Sequence, residues 1–166
     1  MHGTSMIILV MGVSGVGKTT IGQALAAQLG WRFVDADDFH SPANLAKMHA
    51  GTPLKDADRE PWLQSLHDAI ASWIAAKHSV VLACSALKEI YRQKLMITSD
   101  VKLVFLLADF ATIAQRLANR EGHFMNPALV KSQFDILETP QNAISVDVHG
   151  SVNLTVVAIE TALALK

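Results

Sequence analysis

Short, unbroken apolar runs alternate along the chain with segments whose apolar residues recur every three or four positions. Met6 to Met11 is a continuous apolar run ending at Gly12, the pattern of a strand buried on both faces. From Lys18 to Leu29, the residues Ile21, Ala24, Leu25, Gln28 and Leu29 recur at helical spacing, and Gly30 closes the helix. Trp31 to Asp35 reads as a second strand ending in acids. Pro61 to Lys77 reads as a helix with Pro61 at its opening and Leu63, Leu66, Ile70 and Ile74 on one face. Ser79 to Cys84 is strand-like, Ala86 to Leu95 helical, and Val101 to Leu107 another buried strand. Helices are predicted over Phe110 to Arg120 and Ala128 to Leu137, then a short strand over Ser145 to Val148 and a last helix over Val152 to Leu165. This alternation predicts parallel βαβ units with helices on both faces of the sheet. Two polar stretches break it, Asp37 to Glu60 and Glu121 to Pro127, and insertions of this kind on such a core usually serve as substrate clamps or lids.

The turn after the first strand carries the chemistry. Gly12-Val13-Ser14-Gly15-Val16-Gly17-Lys18-Thr19 fits G-x-x-x-x-G-K-[ST], a pattern expected by chance in roughly one chain of this length in a couple of hundred. It follows a buried strand and opens a helix, as the mechanism requires. Glycines let backbone N–H groups turn inward around phosphate oxygens, and the helix N-terminus adds partial positive charge. Lys18 is placed to reach the β- and γ-phosphates of a nucleotide, and the Thr19 hydroxyl to ligate Mg²⁺. Thr20 belongs to the same binding loop.

Composition narrows the class. The chain has 166 residues, 51% hydrophobic and 17% charged, which suits one self-supporting domain and excludes a disordered chain. Fourteen Lys+Arg against 15 Asp+Glu leave nothing at the level of net charge to attract nucleic acid or a membrane, so any anion site is local. The lone Cys84 cannot form an internal disulfide and favours a reducing, cytoplasmic setting. The start of the chain is too short in its apolar run for a membrane span and lacks the basic region of a signal peptide. No Asn-Lys-x-Asp base reader is present, and Asp147-Val148-His149-Gly150 lies too late in the chain to be a GTPase switch. The histidines show no metal-ligand spacing. A small kinase, an accessory nucleotide-binding protein or a minimal NTPase remains.

Several polar groups are candidates for the acceptor side. Asp35 and Asp37 share a side of the second strand's end, where ligands bind in this topology. One could hold the Mg²⁺ shell and the other accept a hydroxyl proton. Asp56, Asp58 and Arg59 form either a surface ion-pair cluster or a site in which Arg59 forks onto an anionic group. Trp62 reads as packing, and Cys84 as a small buried hydrophobe. Lys88 and Arg92, four apart on one helix face, are either anion ligands or a solvated basic face. Arg116 and Arg120 lead into Glu121-Gly122-His123, as in a lid that closes over ATP and excludes water, or simply favour the helix dipole.

These residues resemble the small gluconokinases, relatives of shikimate kinase and of the nucleoside monophosphate kinases. The resemblance runs from about Ile7 to Asp147. Beyond the P-loop it rests on Asp35-Ala36-Asp37 with His40 and Asn44, Lys47-Met48, Gly51-Thr52-Pro53-Leu54 and Asp56 to Leu63. Cys84 to Lys88, Tyr91-Arg92, Gly122-His123-Phe124 and Gln133-Phe134 complete it, the block from Asn44 to Leu63 being the specific part. It implies a P-loop kinase domain, a three-layer αβα sandwich on a five-stranded parallel sheet of order 2-3-1-4-5. A substrate clamp would lie at about 38–60 and a lid at about 116–128. It further implies transfer of the γ-phosphoryl of ATP to the 6-hydroxyl of D-gluconate, with Mg²⁺, and often a homodimer. By analogy with shikimate kinase, Asp37 would contact the accepting hydroxyl, Arg59 the carboxylate end of the substrate, and Asp35 the Mg²⁺ shell with Thr19. His40, Lys88, Arg92 and Gln133 are further substrate candidates, and Arg116 and Arg120 nucleotide candidates, Arg120 also catalytic. The chain departs from the family pattern where Ser41 separates the motif histidine from Pro42, and where a basic residue expected after His123-Phe124 is missing.

Overall fold

A computed structural model describes residues 5–13, 15–118, 127–148 and 151–165. Its strands are β1 (Ile7–Met11), β2 (Arg32–Asp35), β3 (Val80–Ala83), β4 (Val101–Leu107) and β5 (Ile144–Asp147). They form one sheet in the order β2-β3-β1-β4-β5, every pairing parallel. The helices are α1 (Lys18–Leu29), α2 (Pro42–His49), α3 (Asp56–Ala75), α4 (Glu89–Leu95), α5 (Phe110–Ala118), α6 (Pro127–Ile136) and α7 (Val152–Ala162). Helices on both faces of a parallel sheet match the alternation of the sequence, and the strand order is the one the family resemblance implies. Among the described residues no helix is long and apolar enough to cross a membrane.

The all-apolar β1 explains the layers. Its alternate residues feed two separate cores. Ile7, Leu9 and Met11 pack with Leu63, Leu66 and Ile70 of α3 and Leu95 of α4. Ile8 and Val10 pack with Leu25 of α1, Ile113 of α5 and Ile159 of α7. Leu63, Leu66 and Ile70 are at most 2% exposed, and burial of each contributes about 1.5–3 kcal/mol before entropy. Helix α1 sits close on β2 and β3 because Gly22 has no side chain: a Cβ there would lie 2.6 Å from the Phe33 ring.

Three expected elements differ. Helix α3 begins at Asp56, five residues before Pro61, so Asp56, Asp58 and Arg59 lie in its first turns rather than in a loop. Pro61 removes one helical donor, the one that would reach the Ala57 carbonyl, but Ala57 is exposed and its carbonyl can turn to water. Meanwhile the Asp58 carboxylate accepts from the Lys55 N–H at 2.9 Å, which starts the helix. Helix α4 begins at Glu89 rather than Ala86, because Ala86 takes a left-handed φ of 46° that no helix continues. The stretch Asp37 to Glu60 is largely helical: a 3-10 turn over Ala36–Phe39, then α2, then the start of α3. The Ser41 insertion has a local role, capping α2 by accepting from the Asn44 N–H with Pro42 in the first helical turn.

Candidate active site

The carboxyl ends of β1, β2 and β3 meet at one cleft of about 210 Å³, the position that parallel α/β topology assigns to ligands. The P-loop forms its floor. Val13 and Val16 are buried in the core and anchor the loop, whereas Gly15, Gly17, Lys18, Thr19 and Thr20 face the cleft. Gly17 precedes α1 with a φ of 105° and no side chain caps the helix, leaving its first N–H groups free to meet phosphate. Gly12 is held tightly: with φ 154°, a Cβ would lie 3.1 Å from the Leu106 carbonyl. Ser14 lies outside the described residues.

Lys18 donates to the Val13 carbonyl at 3.1 Å. Burial holds its pKa below the usual lysine value, opposed by the charge of Asp37 and neighbouring groups. Thr19 Oγ1 donates to Asp35 Oδ2 at 3.1 Å, and Asp35 Oδ1 accepts from the Asp37 N–H at 2.9 Å. Strand alternation therefore does not bring the two acids together, since β2 stops at Asp35. Asp35 caps the following 3-10 turn, and that turn delivers Asp37 to the cleft. Burial raises the Asp37 pKa and the adjacent Asp35 raises it further, while Lys18 lowers it. A hydroxyl and a carboxylate at this spacing form the hard-oxygen donor set that suits Mg²⁺.

The far wall comes from α2 and α3. His40 stacks on Trp62 with ring centroids 4.2 Å apart and planes 11° from parallel. Trp62 is itself fixed by its Nε1 donating to the Ala36 carbonyl at 2.7 Å, so the residue read as packing also orients a cleft side chain. Burial, and then the Arg59 guanidinium, push the His40 imidazole down to about 4, so it is neutral at pH 7. Arg59 lines the cleft and donates to the Leu54 carbonyl at 2.8 Å and to the Tyr91 hydroxyl at 2.9 Å. Tyr91 in turn donates to Asp56, which is paired with Lys88 at 3.0 Å. Gln133 of α6 closes the cleft on another side.

The structure thus gathers Lys18, Thr19, Asp35, Asp37, His40, Arg59 and Gln133 at one cleft. It separates Lys88 and Arg92, which do not share a helix face. Lys88 precedes α4 and faces Asp56, in a shallow depression next to Arg59. Arg92 is 3% exposed and turned away from the cleft, donating at 2.8 Å to the carbonyls of both Ala86 and Glu138. It holds the left-handed β3–α4 loop against the segment after α6. The expected effect of Arg92→Lys is a loss of about 2 kcal/mol in stability, because one ammonium cannot span both carbonyls; urea unfolding would measure it. Arg116 contacts the P-loop rather than the cleft, donating to the carbonyls of Val16 at 3.3 Å and Val148 at 2.7 Å. Arg120 and the segment Glu121 to Asn126 lie outside the described residues. Cys84 lines the cleft as an inert thiol, pushed up to about 12 by burial and then by Asp37. Residue-by-residue reading gave no role to Asn44, Met48, Leu54 or Tyr91. Their place in the specific middle block and in the Tyr91-Arg92 pair was the available signal.

The family described as Shikimate kinase matches residues 14–144. The chain is 46% identical to a probable gluconokinase of Mus musculus, over 95% of this chain and 97% of that protein. It is 42% identical to the thermosensitive gluconokinase of Escherichia coli strain K12, over all of this chain and 91% of that protein. Among solved structures, a gluconokinase from Sinorhizobium meliloti 1021 superposes with a TM-score of 0.87 at 37% identity, covering 98% of this chain and 94% of that one.

Proposed function

Because the chain belongs to the gluconokinase family, within the wider shikimate kinase group, we propose that it transfers the γ-phosphoryl of ATP to the 6-hydroxyl of D-gluconate, giving 6-phospho-D-gluconate and ADP. The observation that carries this reading is the single cleft in which a P-loop lysine, two carboxylates and an arginine converge. Thr19 and Asp35 would hold Mg²⁺, which when bound would neutralise negative charge on the phosphates. The P-loop N–H groups and Lys18 hold the phosphates and stabilise charge on the phosphoryl in flight. Asp37 orients the attacking hydroxyl and takes its proton, while Arg59 holds the carboxylate end of the acceptor. Arg116 and Arg120 belong to the nucleotide side, with 116–128 as the lid and 38–60 as the acceptor clamp. A cytoplasmic homodimer is part of the same proposal.

The anchoring of Arg59 supports the acceptor assignment. Its guanidinium is fixed by Leu54 and Tyr91, and Tyr91 is fixed by Asp56. A pre-oriented fork loses little entropy when it meets a carboxylate. The test is ADP release from Mg·ATP with D-gluconate, other sugar acids, shikimate and AMP. Stimulation by D-gluconate with a 6-phosphorylated product is expected. Stimulation by shikimate or AMP instead would reassign the acceptor, and nucleotide binding without any acceptor-dependent ADP release would make the protein a nucleotide-dependent regulator.

A further inference from the structure

His40 has a defined protonation state that follows from hydrogen-bond bookkeeping around Asn44. The Asn44 side chain is buried at the start of α2, and its Nδ2 faces two groups: the Asp58 carbonyl at 2.9 Å and His40 Nδ1 at 3.2 Å. A carbonyl can only accept, so Asp58 requires the NH₂ end of the amide on that side. That same NH₂ then donates its second hydrogen to His40 Nδ1, which must be the bare, accepting nitrogen of the ring. The stack on Trp62, itself tied to the Ala36 carbonyl, holds the plane of the ring, and the Asn44 contact selects its orientation, since a reversed ring would place a C–H where Nδ1 now accepts. The proton of the neutral imidazole therefore sits on Nε2. That nitrogen lies 4.0 Å from Asp37 Oδ1, too far for a hydrogen bond, in the cleft both residues line.

We propose that Asn44 fixes His40 as a neutral imidazole protonated at Nε2, and that His40 and Asp37 form a donor–acceptor pair selecting a hydroxyl as the phosphoryl acceptor. An oxygen about 2.8 Å from each atom would see the two at roughly a right angle, a geometry that allows one accepted and one donated bond. A hydroxyl meets both demands: it accepts from His40 Nε2–H and donates to Asp37. A carboxylate has no proton for Asp37 and is repelled by it. An ammonium has no lone pair for His40. A methyl group leaves the buried His40 N–H without an acceptor and offers nothing to Asp37. Burial and the Arg59 guanidinium keep the ring neutral, and Asp37, the facing acid, is not close enough to reverse this. Asn44 is then a positioning residue acting through His40.

The identity of the hydroxyl as that of gluconate rests on the proposed function; the protonation state does not, and the experiment separates them. Long-range proton–nitrogen correlation spectra of histidine-labelled protein at pH 7 report which ring nitrogen carries the proton, with His40 assigned by its loss in His40→Gln. A proton on Nε2 is expected, and a proton on Nδ1 overturns the proposal. In Asn44→Asp the new carboxylate can only accept, so a proton should appear on Nδ1; an unchanged spectrum from this variant overturns the role of Asn44. His40→Phe keeps the stack on Trp62 but removes the N–H. It should lower acceptor kcat/KM by about tenfold or more, with the KM for Mg·ATP unchanged within about twofold, and His40→Gln should recover part of the loss. Equal kcat/KM in wild type and His40→Phe overturns the pair. Activity only on a different hydroxyl substrate overturns the gluconate reading and leaves the pair in force, whereas the absence of any hydroxyl acceptor overturns the pair as well.

Discussion

Replacing Lys18 with methionine is expected to reduce acceptor-dependent turnover by about 10³-fold or more, the scale of removing a cation that neutralises the transferring phosphoryl. The fold itself should not suffer. Methionine keeps the apolar stem, and the hydrogen bond lost is the one to the Val13 carbonyl at the rim of the loop. Burial lowers the folded-state pKa of Lys18 below its unfolded value. Between those two values the unfolded chain binds more protons, so stability rises with pH through that window, and below it the whole cost of burying the charge is present. At neutral pH, below the unfolded value, burying this amine therefore costs the empty protein stability, a cost that bound phosphate offsets. Lys18→Met should match or exceed the wild type in Tm without ligand, and lose most of the Tm rise that Mg·ATP gives the wild type. Steady-state ADP release and thermal melts with and without nucleotide check both halves. Retained turnover within tenfold of wild type would remove Lys18 from the reaction.

The parts of this site that were legible in the sequence are those fixed by local rules. The bounds of α1 and β4 coincide with their sequence readings because glycine punctuates one and an apolar run interrupted only by Lys102 defines the other. The P-loop was legible because its glycines, lysine and hydroxyl occur at fixed offsets between a strand and a helix. Tertiary partners decided the rest. Nothing local announces that Arg92 is buried, since its carbonyl partners at Ala86 and Glu138 lie six and 46 residues away. Pro61 marks a helix start by proline's preference for that position, but the Asp58 cap overrides the preference. The left-handed Ala86 broke a pattern that looked helical. Strand alternation points Asp35 and Asp37 to one side, but it is the cap on a 3-10 turn that brings them together. The roles of Asn44 and Tyr91 depend on contacts 14 and 35 residues away in sequence, and no spacing rule reaches that far.

Asp37→Asn should separate catalysis from stability in the same way, from the opposite charge. Its amide can still hold an acceptor hydroxyl but cannot take its proton. The expected result is a fall in kcat of about 10²-fold or more with little change in nucleotide affinity. Burial and Asp35 raise the folded-state pKa of Asp37 above the ordinary carboxylate value. Here the folded chain binds more protons than the unfolded one between the two pKa values, so stability falls as pH rises through that window and stays lower above it. Removing the charge should therefore leave the neutral-pH Tm unchanged or higher, whereas the loss of a stabilising interaction worth 1 kcal/mol would lower it by about 2–4 °C in a chain of this size. The wild-type pH profile offers an independent check. The acid limb of acceptor kcat/KM should lie above the range of an ordinary aspartate, and it should vanish in Asp37→Asn. An unchanged kcat would exclude Asp37 from the acceptor site, and a lowered Tm with normal kcat would make it a structural acid. If both charged residues weaken the empty fold and both are needed for turnover, the cleft is held in a strained, charged state whose cost is offset only when phosphate and hydroxyl fill it.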